Sequence, residues 1–184
     1  MAQTDPVNGS RRRLTVLVGV SGASALVYQS LWLRSFGLVF GNTTDAVSLV
    51  LATFMGGLAL GGMLAARRPA RDPLRAYAHV EMAIGATALL TVPLLRLLPL
   101  AYAAAAARFG LAGVADVMAQ AGAAAVVLLP TTVLMGAAVP LAVAFLARQA
   151  GGMRGSFGRL YLANTLGGAV GVALAPFALL PALG

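Results

Sequence analysis

Long apolar runs, each about as long as a membrane is thick, constrain this chain more than any other feature. A helix needs roughly 20 mainly apolar residues to cross ~30 Å of hydrocarbon. Such runs extend over Leu14–Leu33, Ala46–Ala66, Ala76–Leu95, Val117–Ala147 and Leu160–Leu183. The sequence therefore predicts an all-α fold, a polytopic transmembrane helix bundle with about five spans.

The composition agrees with a lipid environment. Hydrophobic residues make up 60% of the chain and charged residues only 10%, whereas a soluble domain carries about 25% charged residues. The net charge of +8 would suit nucleic acid, but a chain this apolar has no soluble surface on which to form a basic patch. We expect the lipid bilayer as partner and no nucleic acid.

The N-terminal segment Ser10–Ala25 has a basic start, an apolar stretch and a small-residue ending, so a cleaved signal peptide is an alternative to a first span. The apolar run continues to Leu33, however, which is the length of a spanning helix. We therefore expect residues 1–13 to form a cytoplasmic N-terminal tail and residues 14–184 to form a single transmembrane helical domain.

The distribution of arginine predicts the orientation. Cytoplasmic loops of membrane proteins carry an excess of basic residues. With the N-terminus inside, ten of the thirteen basic residues fall on the cytoplasmic side: Arg11, Arg12, Arg13, Arg67, Arg68, Arg71, Arg75, Arg148, Arg154 and Arg159. All bases are arginine, a usage typical of GC-rich bacterial genomes. The expected location is the bacterial inner (plasma) membrane, with a cytoplasmic N-terminus.

The segment Leu97–Ala107 is apolar but too short to span. Three arrangements are open for this segment: it extends the third span beyond the membrane, lies flat in the outer interface, or re-enters the membrane. Pro93 and Pro99 weaken a straight continuation of the helix. We therefore expect one interfacial or re-entrant helix beside the five spans, and favour the interfacial form.

Small residues and prolines mark two further features. Close helix packing in lipid uses glycines four residues apart, which predicts packing roles for Gly57 and Gly61 and for Gly167 and Gly171. Gly136 in the fourth span is expected to permit a close neighbour as well. The fourth span contains Pro130 and Pro140, and broken helices build binding sites in many transporters. Thr131 and Thr132 are expected to satisfy the freed carbonyls and to face a ligand.

Ionisable groups inside the membrane are candidates for function. Glu81 is such a group, and two roles stay open for it: lining a binding site, or pairing with Arg68 or Arg75 to hold helix ends together. The chain has no Cys and a single His, and no motif for a phosphate or metal site. We expect no metal site, no cofactor and no enzymatic activity.

The first span carries a polar and aromatic stripe, Ser21, Ser24, Tyr28, Trp32 and Ser35, at helical spacing. This stripe is expected to face the bundle. Trp32 and Arg34 are expected to anchor the outer interface, with Asp45 as a partner of Arg34. Together with the groups above, the candidate ligand-binding residues are Tyr28, Gln29, Glu81, Thr131, Thr132 and Asn164.

Five ordered motifs carry a resemblance to a known family. They are SGASALVYQSLWLR, FGNTTDAVSLVLATFMGGLALGGMLAARR, HVEMAIG, LPTTVLMGAAVPLAVAFLAR and GRLYLANTLGGAVGVALAPFALLPALG. Together they resemble the membrane domain of the bacterial spermidine-synthase-like transmembrane proteins, a major-facilitator-like bundle fused to a synthase domain. The resemblance implies homologous roles for Tyr28, Trp32, Arg34, Glu81, Pro130, Gly136, Pro140, Tyr161, Asn164 and Gly167.

Two departures from this family limit what the resemblance implies. Gln29 stands where the family usually has Glu, and the synthase domain is absent from this chain, so no aminopropyl transfer is expected. The resemblance implies a membrane protein that binds or moves a polyamine-like cationic or amphiphilic solute. The alternative is a non-catalytic accessory subunit of a larger membrane complex. Either role suits a homo-oligomer or a partnership with other membrane subunits.

Overall fold

Five long helices make up the protein. The computed structural model describes residues 6–150 and 153–179, and in these ranges it contains helices and no strand. The helices are α1 (Pro6–Phe40), α2 (Thr44–Arg67), α3 (Pro73–Phe109), α4 (Gly113–Ala150) and α5 (Met153–Leu174), followed by a π-helical turn at Ala175–Leu179. All five contain stretches long and apolar enough to cross a membrane. The predicted all-α bundle with five spans is confirmed.

Local sequence signals explain where the helices start and stop. Thr43 caps α2, because its side chain accepts a hydrogen bond from the Ala46 amide at 3.2 Å. The Asp72 side chain caps α3, because it accepts a hydrogen bond from the Arg75 amide at 3.1 Å. Pro73 occupies the first turn of α3, where the backbone amides have no partner within the helix, so the amide hydrogen that proline lacks is not missed. α3 ends at Phe109 and is capped by the next residue, Gly110, which has a left-handed backbone with φ of 59°.

The helices differ from the predicted spans in length. α1 already begins at Pro6, so residues 6–13 of the expected tail are helical. Its 35 residues would extend over ~52 Å at 1.5 Å per residue, more than the hydrocarbon thickness. The fifth span was expected to reach Leu183, but α5 ends at Leu174 and the π-helical turn follows. Residues 180–184 lie outside the described residues.

The segment Leu97–Ala107 does not form a separate helix, so the expectation of an interfacial or re-entrant helix is wrong. α3 runs through Pro93 and Pro99 without interruption. Two features explain this continuation. The stretch after Pro99 is rich in alanine, the residue with the highest helix propensity. Leu98 is buried, with 7% of its surface exposed, in a cluster with Trp32, Phe36, Phe54 and Leu128 that we call the main apolar cluster.

α4 is the central helix. Half of its most apolar stretch is buried inside the protein, compared with 17–22% for the corresponding stretches of the other helices. It also runs unbroken through Pro130 and Pro140, so the predicted broken span is wrong. Neighbouring helices can hold a proline-containing helix together in a membrane, and α4 packs closely against both α2 and α3.

Two helix pairs are held together by glycines that permit close backbone contact. In the α2–α4 pair, a Cβ atom on Gly57, Gly61 or Gly136 would overlap atoms of the opposite helix. In the α1–α5 pair, a Cβ atom on Gly167 or Gly171 would overlap the α1 backbone. The structure thus places all five predicted packing glycines at close helix contacts.

The same end of the bundle holds the start of α1, the α2–α3 link, the end of α4 and the start of α5. The Arg148 guanidinium donates hydrogen bonds to the carbonyls of Ala70 at 2.8 Å and Arg71 at 2.6 Å, which ties the end of α4 to the α2–α3 link. A buried cluster that includes Leu14, Tyr77, Leu146 and Leu160 lies near this end. We call it the arginine-rich end.

Large apolar side chains cover the outside of the bundle. Examples on different helices are Val20 (58% exposed), Leu89 (72%) and Val126 (65%). A soluble protein rarely exposes such surfaces, and a bilayer covers them. The structure is therefore that of a multi-pass membrane protein.

Candidate functional site

A cavity of about 890 Å³ lies between the two glycine-packed helix pairs. Four helices provide most of its wall, and α3 contributes Tyr77. The lining residues are Val18, Ser21, Gly22, Ala25, Leu26, Gln29, Leu51, Phe54, Met55, Leu58, Tyr77, Met135, Gly136, Ala138, Val139, Phe157, Tyr161, Asn164, Thr165 and Gly168. This volume lies within the range of small-molecule binding sites.

The wall of the cavity is apolar with a few uncharged polar groups. Its polar members are Ser21, Gln29, Tyr77, Tyr161, Asn164 and Thr165, and no charged side chain lines it among the described residues. Gln29 and Asn164 make no side-chain hydrogen bond within the described part of the chain, so their amide groups are free to bind another molecule. Such a wall suits a molecule that is mainly apolar and carries a few hydrogen-bonding groups.

The cavity opens sideways between α2 and α5. Met55 of α2 is 66% exposed, and Phe157 and Tyr161 of α5 are 51% and 57% exposed, yet all three line the cavity. The two aromatic rings stack with their centroids 5.8 Å apart. Because the outside of the bundle faces lipid, this opening faces the membrane.

The predicted site residues divide into two groups. Gln29 and Asn164 line the cavity. Tyr28 does not line it, because its ring stacks on Trp32 at a centroid distance of 5.7 Å. Glu81 does not line it either, but it lies one helical turn from Tyr77, which does.

Thr131 and Thr132 do not reach the cavity. Both are fully buried, and Thr132 lies against Gly57 of α2. Thr132 Oγ1 donates to the carbonyl of Leu128 at 2.9 Å, whereas Pro130 frees the carbonyl four residues before it, that of Val126. Thr131 Oγ1 is buried without a hydrogen-bond partner. The expectation that these threonines satisfy the freed carbonyls is therefore wrong, and Thr132 is a packing residue.

Trp32 is not an outer-interface anchor. Its side chain is only 1% exposed, and it lies in the main apolar cluster between Tyr28 and Phe54. Arg34 and Asp45 are both exposed, and no ion pair joins them in the described part of the chain. The anchor prediction is wrong for Trp32 because α1 continues past Arg34 to Phe40.

Glu81 has no ion-pair partner of the expected kind. Arg68 and Arg75 are exposed, and neither forms a salt bridge with Glu81 within residues 6–150 and 153–179. One of its carboxylate oxygens, Oε1, is buried without a hydrogen-bond partner. Of the two roles left open by the sequence, the structure gives no support to pairing with these arginines.

Sequence reasoning missed Tyr77, Ser21 and Thr165 as cavity residues. A signal for Tyr77 was present, because it precedes Glu81 by four residues, and such pairs lie on one face of a helix. Ser21 had been assigned to the bundle-facing stripe, which the structure supports for this residue. Ser24 of the same stripe is exposed.

No protein-family model matches the chain, and no curated protein and no solved structure is significantly similar to it.

Proposed function

We propose that this protein binds an amphiphilic small molecule inside the bilayer, in the cavity between the α1–α5 pair and the α2–α4 pair. The observation that carries this proposal is the sideways opening at Met55, Phe157 and Tyr161. A molecule dissolved in the membrane can enter there without crossing water. The apolar wall then accommodates its chain, and Gln29 and Asn164 provide hydrogen bonds to its polar part.

The uncharged wall favours an amphiphile over a polycation. A polyamine would lose the hydration of several charges, and such a loss requires paired carboxylates to offset it. The described lining contains none, and Gln29 stands where the resembled family has an acid. The resemblance to spermidine-synthase-like membrane domains stays a prediction, and so does the movement of a solute across the membrane.

Two serines of α1 provide a matched test. Ser21 lines the cavity, and Ser24, three residues later, is exposed on the outside of the helix. In Ser21→Phe the added ring occupies cavity volume, and in Ser24→Phe it faces lipid. The probe is dodecanol brominated on its chain, with the protein in lipid nanodiscs. The readout is quenching of Trp32, the single tryptophan, which contacts the cavity residue Phe54 at a ring-centroid distance of 6.4 Å.

We expect the quenching of Trp32 to saturate as brominated dodecanol is added to the wild type or to Ser24→Phe. In Ser21→Phe we expect only the quenching by dodecanol dissolved in the surrounding lipid, which rises linearly with its concentration. Equal, non-saturating quenching in all three proteins would refute it. Circular dichroism and size-exclusion chromatography check that both variants keep the fold.

A second candidate function is that of an accessory subunit of a larger membrane complex. Gly56 of α2 and Gly85 of α3 are exposed and have open space where a side chain would be. Exposed glycines on membrane helices permit the close approach of another helix. This role predicts a homo-oligomer or stoichiometric partner proteins after purification in a mild detergent, and a companion-free monomer would contradict it.

We further propose that the protein lies in a bacterial inner membrane with the arginine-rich end in the cytoplasm. The excess of arginine at that end supports this orientation, since cytoplasmic loops are enriched in basic residues. The contact of Arg148 with the α2–α3 link brings two of these arginine-bearing segments together.

A further inference from the structure

Two buried oxygen atoms near the cavity have no hydrogen-bond partner. Tyr77 is 4% exposed and lines the cavity, and its hydroxyl oxygen is buried without a partner. Glu81 lies one turn further along α3, and its Oε1 is likewise buried and unpartnered. The carboxylate is close enough to the Tyr77 hydroxyl for the two to interact electrostatically and as a loose hydrogen bond, outside ordinary hydrogen-bond geometry. Buried polar groups in proteins are almost always hydrogen-bonded, so these two require an explanation.

The chemistry of the two groups restricts what can satisfy them. An ionised carboxylate only accepts hydrogen bonds, and a tyrosine hydroxyl accepts as well as donates. A ligand that bonds to both therefore supplies at least one hydrogen, for the carboxylate of Glu81. An ammonium group that carries hydrogens can donate to both oxygens and also brings a positive charge to the carboxylate. A single alcohol group can bond to both but brings no charge, and an anion would be repelled by the carboxylate.

The four arginines at the α2–α3 link do not prevent a cation from binding here. Arg67, Arg68, Arg71 and Arg75 are exposed, so water and salt screen their charges over about 8 Å. Glu81 Oε1 and Tyr77 Oη are buried, and electrostatic interactions among buried groups are screened much less. The charges of these four arginines are therefore screened more strongly than the interaction of a ligand with the local pair.

We infer that Tyr77 and Glu81 form a headgroup site for a primary or secondary ammonium at the end of an apolar chain. This inference rests on the proposed function, because the cavity holds the chain. Tyr77 meets the headgroup at the wall of the cavity, and Glu81 lies behind it as the charged acceptor. The remaining cavity wall, which includes Phe54, Met55 and Leu58 of α2 and Met135 of α4, surrounds the chain.

Three probes with the same chain separate this inference from the proposed function. They are brominated dodecanol, dodecylamine and dodecyltrimethylammonium, each measured by Trp32 quenching in nanodiscs at matched membrane concentration. The dodecylammonium ion has a charge and three N–H donors, the trimethyl compound has the charge alone, and the alcohol has one donor and no charge. Ser21→Phe gives the background from bulk membrane for each probe.

The inference predicts that wild-type protein binds dodecylamine at least about tenfold more tightly than either other probe, because a hydrogen bond to a charged group exceeds that ratio. Glu81→Gln is expected to remove this preference while dodecanol still binds. Tyr77→Phe is expected to reduce the preference without abolishing it.

The outcomes that overturn the inference differ from those that overturn the proposed function. If all three probes bind the wild type saturably and with the same affinity, the cavity binds amphiphiles but the headgroup site is refuted. Tyr77 and Glu81 would then bond only to each other. If no probe binds saturably, the proposed function itself fails. The wild-type comparison decides the matter even if Glu81→Gln does not fold.

Discussion

Trp32 of α1 donates a hydrogen bond from its indole nitrogen to the hydroxyl oxygen of Thr91 of α3, at 3.2 Å. The threonine hydroxyl in turn donates to the carbonyl of Ala88 at 2.7 Å. Both side chains are buried, so no water competes for these bonds. The pair links α1 to α3 in the middle of the apolar cluster, where the indole ring packs against Phe54.

We predict that Thr91→Val destabilises the protein by about 1–3 kcal/mol, because it leaves the buried indole N–H without an acceptor. Valine has nearly the same shape, so packing is preserved. Thermal unfolding in detergent, followed by circular dichroism, measures the effect. Thr91→Ser retains the hydroxyl and serves as the control, and a loss as large in Thr91→Ser as in Thr91→Val would argue against the hydrogen bond.

The glycines of α2 give a second prediction. A Cβ atom on Gly61 would overlap the carbonyl oxygen of Val133 and lie 3.1 Å from the Ala137 nitrogen, whereas one on Gly56 would meet no atom within 4 Å. Gly61→Ala is therefore expected to separate α2 from α4 and lower the unfolding temperature. Gly56→Ala is expected to leave stability unchanged or raise it by up to about 1 kcal/mol, since alanine is the better helix former.

Both alanine variants add one methyl group to the same helix, so composition and hydrophobicity are matched. Thermal unfolding of the two proteins in one detergent gives the comparison. Equal unfolding temperatures for Gly61→Ala and Gly56→Ala would contradict the close α2–α4 contact.

The orientation gives a third prediction, and the absence of cysteine from the chain makes single-cysteine labelling possible. Pro69 lies in the α2–α3 link, and Thr44 and Ala112 lie at the opposite end of the bundle; all three are exposed. In intact bacterial cells we expect a membrane-impermeant thiol reagent to label Thr44→Cys and Ala112→Cys, but Pro69→Cys only after permeabilisation.

Labelling of Ala112→Cys also tests the length of α3. If Leu97–Ala107 crossed the membrane a second time, residue 112 would lie on the side of residue 69. The same reagent would then distinguish Ala112→Cys from Thr44→Cys, and the five-span arrangement would be wrong.

The spans and the packing glycines were predictable from sequence because each rests on a local pattern. About 20 apolar residues suffice to predict a span, and Gly57 and Gly61 are four residues apart on one helix face. The helical spacing of Ser21, Tyr28 and Trp32 correctly predicted that Trp32 faces the bundle. The anchor role of Trp32 was wrong because the apolar run does not show where the helix ends: α1 extends to Phe40, which places Trp32 away from its end.

Other features depended on contacts between distant segments. The proline positions in α3 suggested a break, but burial of Leu98 and the alanine run after Pro99 outweigh them. The cavity combines residues from every helix, so the sequence identified Gln29 and Asn164 as polar groups but not the wall they share. Tyr77 belongs to that wall only because α3 begins beside α1 and the end of α4.

Binding of an amphiphile in the cavity is tested by photolabelling the nanodisc-embedded protein with an alkyl alcohol that carries a diazirine on its chain. Mass spectrometry then identifies the labelled residues, with and without an excess of plain dodecanol. If the cavity binds the alcohol, we expect labels that dodecanol displaces on Phe54, Met55 and Tyr161, and labels that it does not displace on lipid-facing residues such as Leu89 and Val126. Labels on lipid-facing residues alone, with no competition at the cavity, would contradict it.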